Sequence, residues 1–244
     1  MIIPMDHGVT LGPIKGLESL AELIDKVSYN GVNAVLGHMI LPLHGFIDGF
    51  NDLGLILHLS AGTIWSRHPN IKVLVNSVEM AVKMGADGVS VHINIGNEHE
   101  EQMIDDLHKV SSQCSKWGMP LLAMIYPRGN RVKSEYDEER ITRSVCIGAE
   151  AGADIVKVNY TGSIDTFRRV VESCSIPVVI AGGKATRPEE VLTAVKESLE
   201  VGSAGVSIGR NVFQSPNSTK MIKAISAIVH ENVTVRDAME LLKR

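Results

Sequence analysis

Lys157 stands in Ala153-Asp154-Ile155-Val156-Lys157-Val158-Asn159-Tyr160, an apolar run that otherwise reads as a buried strand. Burial disfavours the ammonium form and can pull a lysine well below its usual pKa of about 10.4, leaving an amine nucleophile. Such an amine condenses with a carbonyl substrate to form a Schiff base. The competing reading is a strand-end lysine whose ammonium snorkels to solvent or pairs with Asp154. Other versatile side chains also close apolar runs. Asp6 could move protons beside an amine or carbinolamine, or serve only as an ion-pair partner or loop cap. Tyr126 could exchange a proton, or simply hydrogen-bond through its hydroxyl. Gly182-Gly183 and Gly209-Arg210 offer backbone N–H groups beside a positive charge, the ingredients of a phosphate cradle. His38, His58 and His92 could instead converge on zinc with an open position, giving a metal-dependent lyase or hydrolase, although no H-x-H pair supports that reading.

These residues need a frame that brings them to one place. Eight short apolar runs recur, each followed by an amphipathic stretch: Met1–Met5, Val32–Leu36, Leu55–Leu59, Gly88–Asn94, Pro120–Tyr126, Asp154–Asn159, Pro177–Ala181 and Ala204–Ile208. Alternating strands and helices imply a parallel sheet, because parallel neighbours need crossover connections. Eight such units predict an α/β fold of the closed (β/α)8 TIM-barrel type, with an open doubly wound sheet as the rival. Barrel active sites lie at the carboxyl ends of the strands, and the loops after strands 7 and 8 commonly hold phosphate. Every residue singled out above falls at such an end.

The helical rows Val78/Val82, Leu107/Val110/Cys114/Trp117, Phe167/Val170/Val171 and Val191/Val195/Leu199 are expected to face the core. Glycines at 85, 152 and 202 are expected to end helices and turn the chain into the next strand. Without a linker or low-complexity segment, residues 1–244 read as a single domain, with 232–244 as an additional C-terminal helix. That helix starts from Thr234 and Asp237 at capping-box spacing, and its apolar face is expected to pack on the barrel.

Composition narrows the function classes. With 244 residues, 44% of them hydrophobic and 21% charged, the chain is an ordinary globular one. A net charge of -4 without a long basic run gives no footprint for nucleic acid or an anionic membrane. Three separated cysteines, Cys114, Cys146 and Cys174, suggest neither a disulfide framework nor a cysteine zinc site, and fit a reducing cytoplasm. No stretch is long and apolar enough for a signal peptide or a membrane span. Neither a Walker loop nor G-x-G-x-x-G occurs, since Gly183-Lys184 is followed by Ala185.

Six motifs, Met5-Asp6-His7-Gly8-Val9, His58-Leu59-Ser60-Ala61, Tyr126-Pro127-Arg128-Gly129, Lys157 with Asn159-Tyr160-Thr161-Gly162, Ala181-Gly182-Gly183 and Gly209-Arg210-Asn211, resemble in family order the archaeal-type class I aldolases. These are barrels of the DeoC and fructose-bisphosphate aldolase kind, and they include 2-amino-3,7-dideoxy-D-threo-hept-6-ulosonate synthases. The resemblance spans nearly the whole chain. It implies Lys157 as the Schiff-base lysine, Asp6 as proton acceptor and Tyr126 as proton donor. It further implies His7, Gly8, Val9, Thr10, Pro127 and Arg128 as substrate-binding residues, and Gly182, Gly183, Gly209 and Arg210 around a phosphate. No metal or cofactor is implied. The implied partners are small sugar phosphates and aldehydes, and the implied assembly is a homo-oligomer.

Ala123-Met124-Ile125-Tyr126-Pro127 resembles the synthase branch, because the fructose-bisphosphate aldolases usually carry tryptophan where Met124 stands. The implied reaction is a transaldolase-type transfer. An imine forms with a deoxy-diketohexose phosphate, a three-carbon phosphate leaves, and the enamine adds to L-aspartate semialdehyde on the way to 3-dehydroquinate and aromatic amino acids. A sugar-phosphate aldolase and a non-catalytic phosphate-binding barrel remain the alternatives. Two features depart from the family. Lys184-Ala185 replaces the usual Pro-Lys after Gly-Gly, so an altered phosphate loop is expected; the chain starts directly on its first strand, which implies either a less covered barrel floor or a truncated start.

Overall fold

The computed structural model describes residues 1–45 and 53–243; Arg244, the last residue of the expected terminal helix, lies outside them. Eight parallel strands close into a barrel: β1 Ile2–Pro4, β2 Ala34–Gly37, β3 Gly54–His58, β4 Gly88–Ile95, β5 Leu121–Pro127, β6 Ile155–Asn159, β7 Val178–Ala181 and β8 Gly205–Ser207. Each strand pairs with its neighbours in chain order, and β8 closes on β1 through Ile2 and Ser207. The closed ring excludes the doubly wound rival. All eight strands coincide with the expected runs to within two residues at either end. No helix among the described residues is long and apolar enough to cross a membrane.

The pleat sends alternate residues to opposite faces and so separates two cores. On β6, Val156 and Val158 join the main core beneath the helices. Ile155 packs instead against the cluster of Ile2, Leu36, Leu122, Met124 and Tyr126 inside the barrel. Lys157 and Asn159 continue that inward row, with Lys157 in register with Met124 of β5 and Val179 of β7. Several inward rows turn polar toward the carboxyl end: Ile56 then His58 on β3, Ser90, His92 and Asn94 on β4, Ile155, Lys157 and Asn159 on β6. The barrel is plugged by apolar side chains below and lined by titratable groups at its mouth.

The helices follow the expected stop chemistry. Gly152 (φ 81°) and Gly202 (φ 94°) adopt the left-handed conformation that ends a helix without a Cβ clash, as does Gly85 (φ 68°). Two expected core positions are corrected. Val82 and Trp117 are 38% and 51% exposed. Val82 lies one residue, about 100°, past the buried stripe of Val78 and Ala81, and Trp117 ends its helix beyond the last buried turn at Cys114.

The terminal helix runs Val235–Lys243 rather than from 232, because Asn232 (φ 57°) is the C-cap of the helix Ser218–Glu231. Thr234 Oγ1 accepts from the Asp237 N–H and donates to its carboxylate, so the Thr234 cap forms, with the Asp237 carboxylate turned to the hydroxyl. Ala238 is fully buried, and Met239, Leu241 and Leu242 pack on the main core, as expected for a helix docked on the barrel. A two-stranded antiparallel ribbon, Ser60–Ala61 with Val73–Leu74, rises from the end of β3 and has no counterpart among the sequence expectations.

Candidate active site

Lys157 is 5% exposed at the mouth. The Asp154 pairing does not occur, because that carboxylate accepts the Leu121 N–H at 2.8 Å, at the opposite end of the strand. Among the described residues no carboxylate comes within ion-pair distance of the Lys157 ammonium. Burial pulls its pKa down to about 8, with Arg128 and Arg210 adding to the effect and Asp6 opposing it. At pH 7 roughly a tenth of the side chain is then free amine, against well under a thousandth at the ordinary value.

Asp6 follows β1 with its side chain 19% exposed, its carboxylate 3.4 Å from His7 Nδ1 and 3.9 Å from His58 Nε2. Burial raises its pKa, but a proton on His58 or His7, the Lys157 ammonium and a proton on His38 each lower it, and together they keep it ionised well into the acid range. Burial pushes His58 down to about 3 in spite of Asp6, so it is neutral at physiological pH. Its Nδ1 is 2.7 Å from Ser90 Oγ. Asp6 is thus a carboxylate held among neutral imidazoles and facing the amine's side of the barrel.

Tyr126 is buried on the inward row of β5, with the Arg128 guanidinium 4.5 Å above its ring and the edge of His92 at 5.1 Å. Burial raises the phenol well above its ordinary value, so it keeps its proton. Arg128 also donates to Glu135 at 2.9 Å. His7 packs edge-on to Phe213, while Gly8 and Val9 face solvent on the short helix His7–Leu11 and Thr10 O accepts from Ile64 N–H. Pro127 is buried at the end of β5. The mouth therefore gathers Lys157, Asp6, Tyr126, His7 and Arg128, and leaves Gly8 and Val9 on the rim.

Gly182, Gly183, Gly209 and Arg210 meet at the ends of β7 and β8. The backbone N–H groups of Gly182, Gly183 and Gly209 donate to no backbone carbonyl among the described residues. Arg210 Nε is buried without a hydrogen-bond partner there. Asn211 shapes this cradle: its Nδ2 donates to Gly182 O and Lys184 O at 2.6 and 3.1 Å, and its Oδ1 accepts from Thr186 N–H. The altered Lys184-Ala185 segment is thereby clamped onto the short helix Arg210–Phe213 that follows β8. A methyl group at Gly209 would lie 2.6 Å from the carbonyl oxygen of Pro4, which is fixed backbone. Gly209→Ala is expected to lose about 1–3 kcal/mol in denaturant unfolding. A variant as stable as the parent would show that the cradle has slack.

The zinc alternative finds no support in the geometry. The rings of His38 and His58 lie tilted to one another with centroids 5.1 Å apart, but His92 Nε2 is directed to Asn94 Oδ1 at 2.9 Å. The compact ligand group among the described residues is a different one, His68, Glu98 and His99 on the outer loops. Tyr160 leaves the mouth and donates to Glu197 at 2.6 Å.

One further residue was not apparent from the sequence. Lys72 on the ribbon is 7% exposed, and among the described residues its Nζ has a single long hydrogen bond, 3.4 Å to Gly62 O. Burial lowers its pKa, helped by Arg128 and opposed by Asp6. Its only sequence signal is a lysine inside the apolar stretch Ile71-Lys72-Val73-Leu74-Val75.

The DeoC/LacD family aldolase model matches residues 1–215. The chain is 40% identical over 240 residues to the 2-amino-3,7-dideoxy-D-threo-hept-6-ulosonate synthase 1 of Archaeoglobus fulgidus, covering 98% of this chain and 89% of that one. It is 38% identical over 234 residues to the 2-amino-4,5-dihydroxy-6-oxo-7-(phosphonooxy)heptanoate synthase of Streptomyces griseus, covering 96% and 85%. An archaeal fructose-1,6-bisphosphate aldolase, solved with its catalytic Lys covalently bound to the carbinolamine intermediate of the substrate, superposes with a TM-score of 0.87. The identity is 29%, over 93% of this chain and 92% of that one.

Proposed function

The chain belongs to the DeoC/LacD family of aldolases, and from that membership we propose that it is a lysine Schiff-base synthase of the transaldolase type that makes a seven-carbon 2-amino-6-oxo acid. The observation that carries this reading is Lys157, an inward-facing buried amine without an ion-pair partner among the described residues, beside an ionised carboxylate and a protonated phenol. The products named for the two synthases share a carboxylate at C1, an amine at C2, a hydroxyl at C4 and a ketone at C6. A hydroxyl two carbons from a ketone marks an aldol bond between C4 and C5. Carbons 1–4 come from a four-carbon amino-acid aldehyde and carbons 5–7 from a three-carbon ketone unit.

The Lys157 amine attacks the ketone of the donor, and loss of water from the carbinolamine gives a protonated imine. In a deoxy-diketohexose phosphate donor, the carbon–carbon bond then breaks. Its electron pair enters the imine to form an enamine, the donor's hydroxyl loses its proton, and a three-carbon aldehyde phosphate leaves. The enamine carbon attacks the aldehyde of L-aspartate semialdehyde, Tyr126 protonates the new alkoxide, and water returns to release the ketone. Asp6 accepts and returns protons at the carbinolamine. The protonated imine is itself the electron sink, so this route needs no metal or cofactor. Gly182, Gly183, Gly209 and Arg210 hold the phosphate, and His7, Gly8, Val9, Thr10, Pro127 and Arg128 line the approach.

Met124, across from Lys157 in register, fits the synthase branch. We place the enzyme in a cytoplasmic route to aromatic precursors, acting as a homo-oligomer.

Borohydride reduction in the presence of a keto-sugar phosphate, followed by peptide mapping, tests the reading. An adduct on Lys157 is expected, and label elsewhere or none at all would sink it. The capture rate should also follow the free amine, rising about tenfold per pH unit below a midpoint near pH 8 and levelling above it. A midpoint near 10.5 would mean the amine is not desolvated.

A further inference from the structure

A buried ammonium without a counter-ion is costly to keep, and among the described residues Lys72 has no carboxylate within ion-pair distance. It is not in the phosphate cradle. The ribbon that carries it rises from β3, and in a ring of eight strands β3 stands four places from β7, across the mouth. Lys157 and Tyr126, on β6 and β5, lie between. The charge of Lys72 is felt at His38, His58 and His92, the strand-end imidazoles of that half of the mouth. Two hydrogen bonds fix the surroundings: Asn94 Nδ2 donates to Asn70 O at 2.8 Å, and the Lys72 N–H reaches Met103 Sδ at 3.4 Å. Across the mouth from Arg210 the Lys72 ammonium is thus a second cationic group, while Arg128 is paired with Glu135 and Asp6 acts on both lysines.

We propose that Lys72 is the residue that binds the carboxylate of the amino-acid aldehyde acceptor. This rests on the synthase reading above and deepens it. In the proposed product the carboxylate carbon lies five bonds from the imine carbon, roughly 6 Å in an extended chain of bonds near 1.5 Å. It extends away from the carbon held by Lys157, on the side where the new bond forms. An acceptor aimed at the enamine must therefore place its anionic end at a fixed distance across the mouth. An incoming carboxylate would give the Lys72 ammonium the partner it lacks, so binding and charge compensation coincide. A neutral aldehyde makes no such contact, so the same lysine selects for acidic acceptors.

The test compares L-aspartate semialdehyde, butanal and glyceraldehyde 3-phosphate as acceptors in the parent, Lys72→Met and Lys72→Arg. A hydrogen bond between charged groups is worth roughly 10- to 100-fold. The preference for L-aspartate semialdehyde over butanal in kcat/KM should fall by at least about tenfold in Lys72→Met, mainly through KM, and recover substantially in Lys72→Arg. An unchanged preference, with the Lys157 borohydride adduct still formed, would overturn the inference alone. Selective loss of glyceraldehyde 3-phosphate would assign the lysine to a phosphate and also overturn it. Absence of the adduct in the parent would overturn the synthase reading and this inference with it. Because the readout is a ratio between acceptors on one protein, partial misfolding of a variant does not imitate the effect.

Discussion

Replacing Lys157 with alanine or methionine is expected to lower turnover by several orders of magnitude, because either change removes the covalent route rather than weakening a contact. A structural lysine would predict a different pair of results. In the folded protein Lys157 titrates near 8, against 10.5 for the ordinary side chain. The difference corresponds to about 3 kcal/mol. Below pH 8 both folded and unfolded chains are protonated, and the folded state carries the full penalty of the buried ammonium. Between pH 8 and 10.5 the unfolded chain binds more protons, so the penalty is released and stability from this group rises with pH. Lys157→Met fills the same inward slot beside Met124 and Val179 without a charge. It should therefore melt no lower than the parent at pH 7, and several degrees higher if the penalty is fully relieved. Loss of activity together with gained or equal stability identifies a residue kept for chemistry. Near-normal turnover in either variant would contradict the mechanism, and a collapse of stability in the methionine variant would return Lys157 to a structural role.

The parts of this molecule legible in its sequence are those governed by local rules. Parallel strands buried on both faces are continuous apolar runs, and four here follow a helix that turns on a glycine, at 85, 118, 152 and 202, so strand count and strand ends could be read directly. The same continuity hides orientation. Val156-Lys157-Val158 does not say which residue faces inward, and only the register with Leu122 and Met124 settles it. The ribbon went unseen because two residues per strand, separated by Gly62–Lys72, show no alternation. With it went Lys72, whose burial depends on the ribbon folding over the mouth. Asn211 was visible within a motif, but its work, bonding Gly182 and Lys184 across two strand ends, is a property of chain closure between β7 and β8. Val82 and Trp117 failed in the opposite sense: helical spacing places a residue on a face, while the reach of the sheet beneath decides whether the face is covered.

Asp6→Asn should separate the two jobs a carboxylate can have at this mouth, because it moves two measurements in opposite directions. Asp6 raises the pKa of Lys157, so its neutral replacement leaves the amine facing Arg128 and Arg210 without that compensation. The midpoint for borohydride capture should therefore fall below pH 8, and the fraction of free amine at neutral pH should increase. Turnover should nevertheless drop by about 10²- to 10⁴-fold, since the amide can neither accept the carbinolamine proton nor return it. A carboxylate that merely tuned the lysine would give the opposite kinetic result, with more free amine and faster turnover. Stability adds a third readout. The Asp6 carboxyl is held below its ordinary value, so its contribution is complete above about pH 4 and is lost only as the pH falls further; the asparagine variant should lack that acid-side loss. Unchanged turnover with a lowered capture midpoint would remove Asp6 from the proton path and leave Tyr126, with its proton retained and Arg128 over its ring, as the acid and base of the reaction.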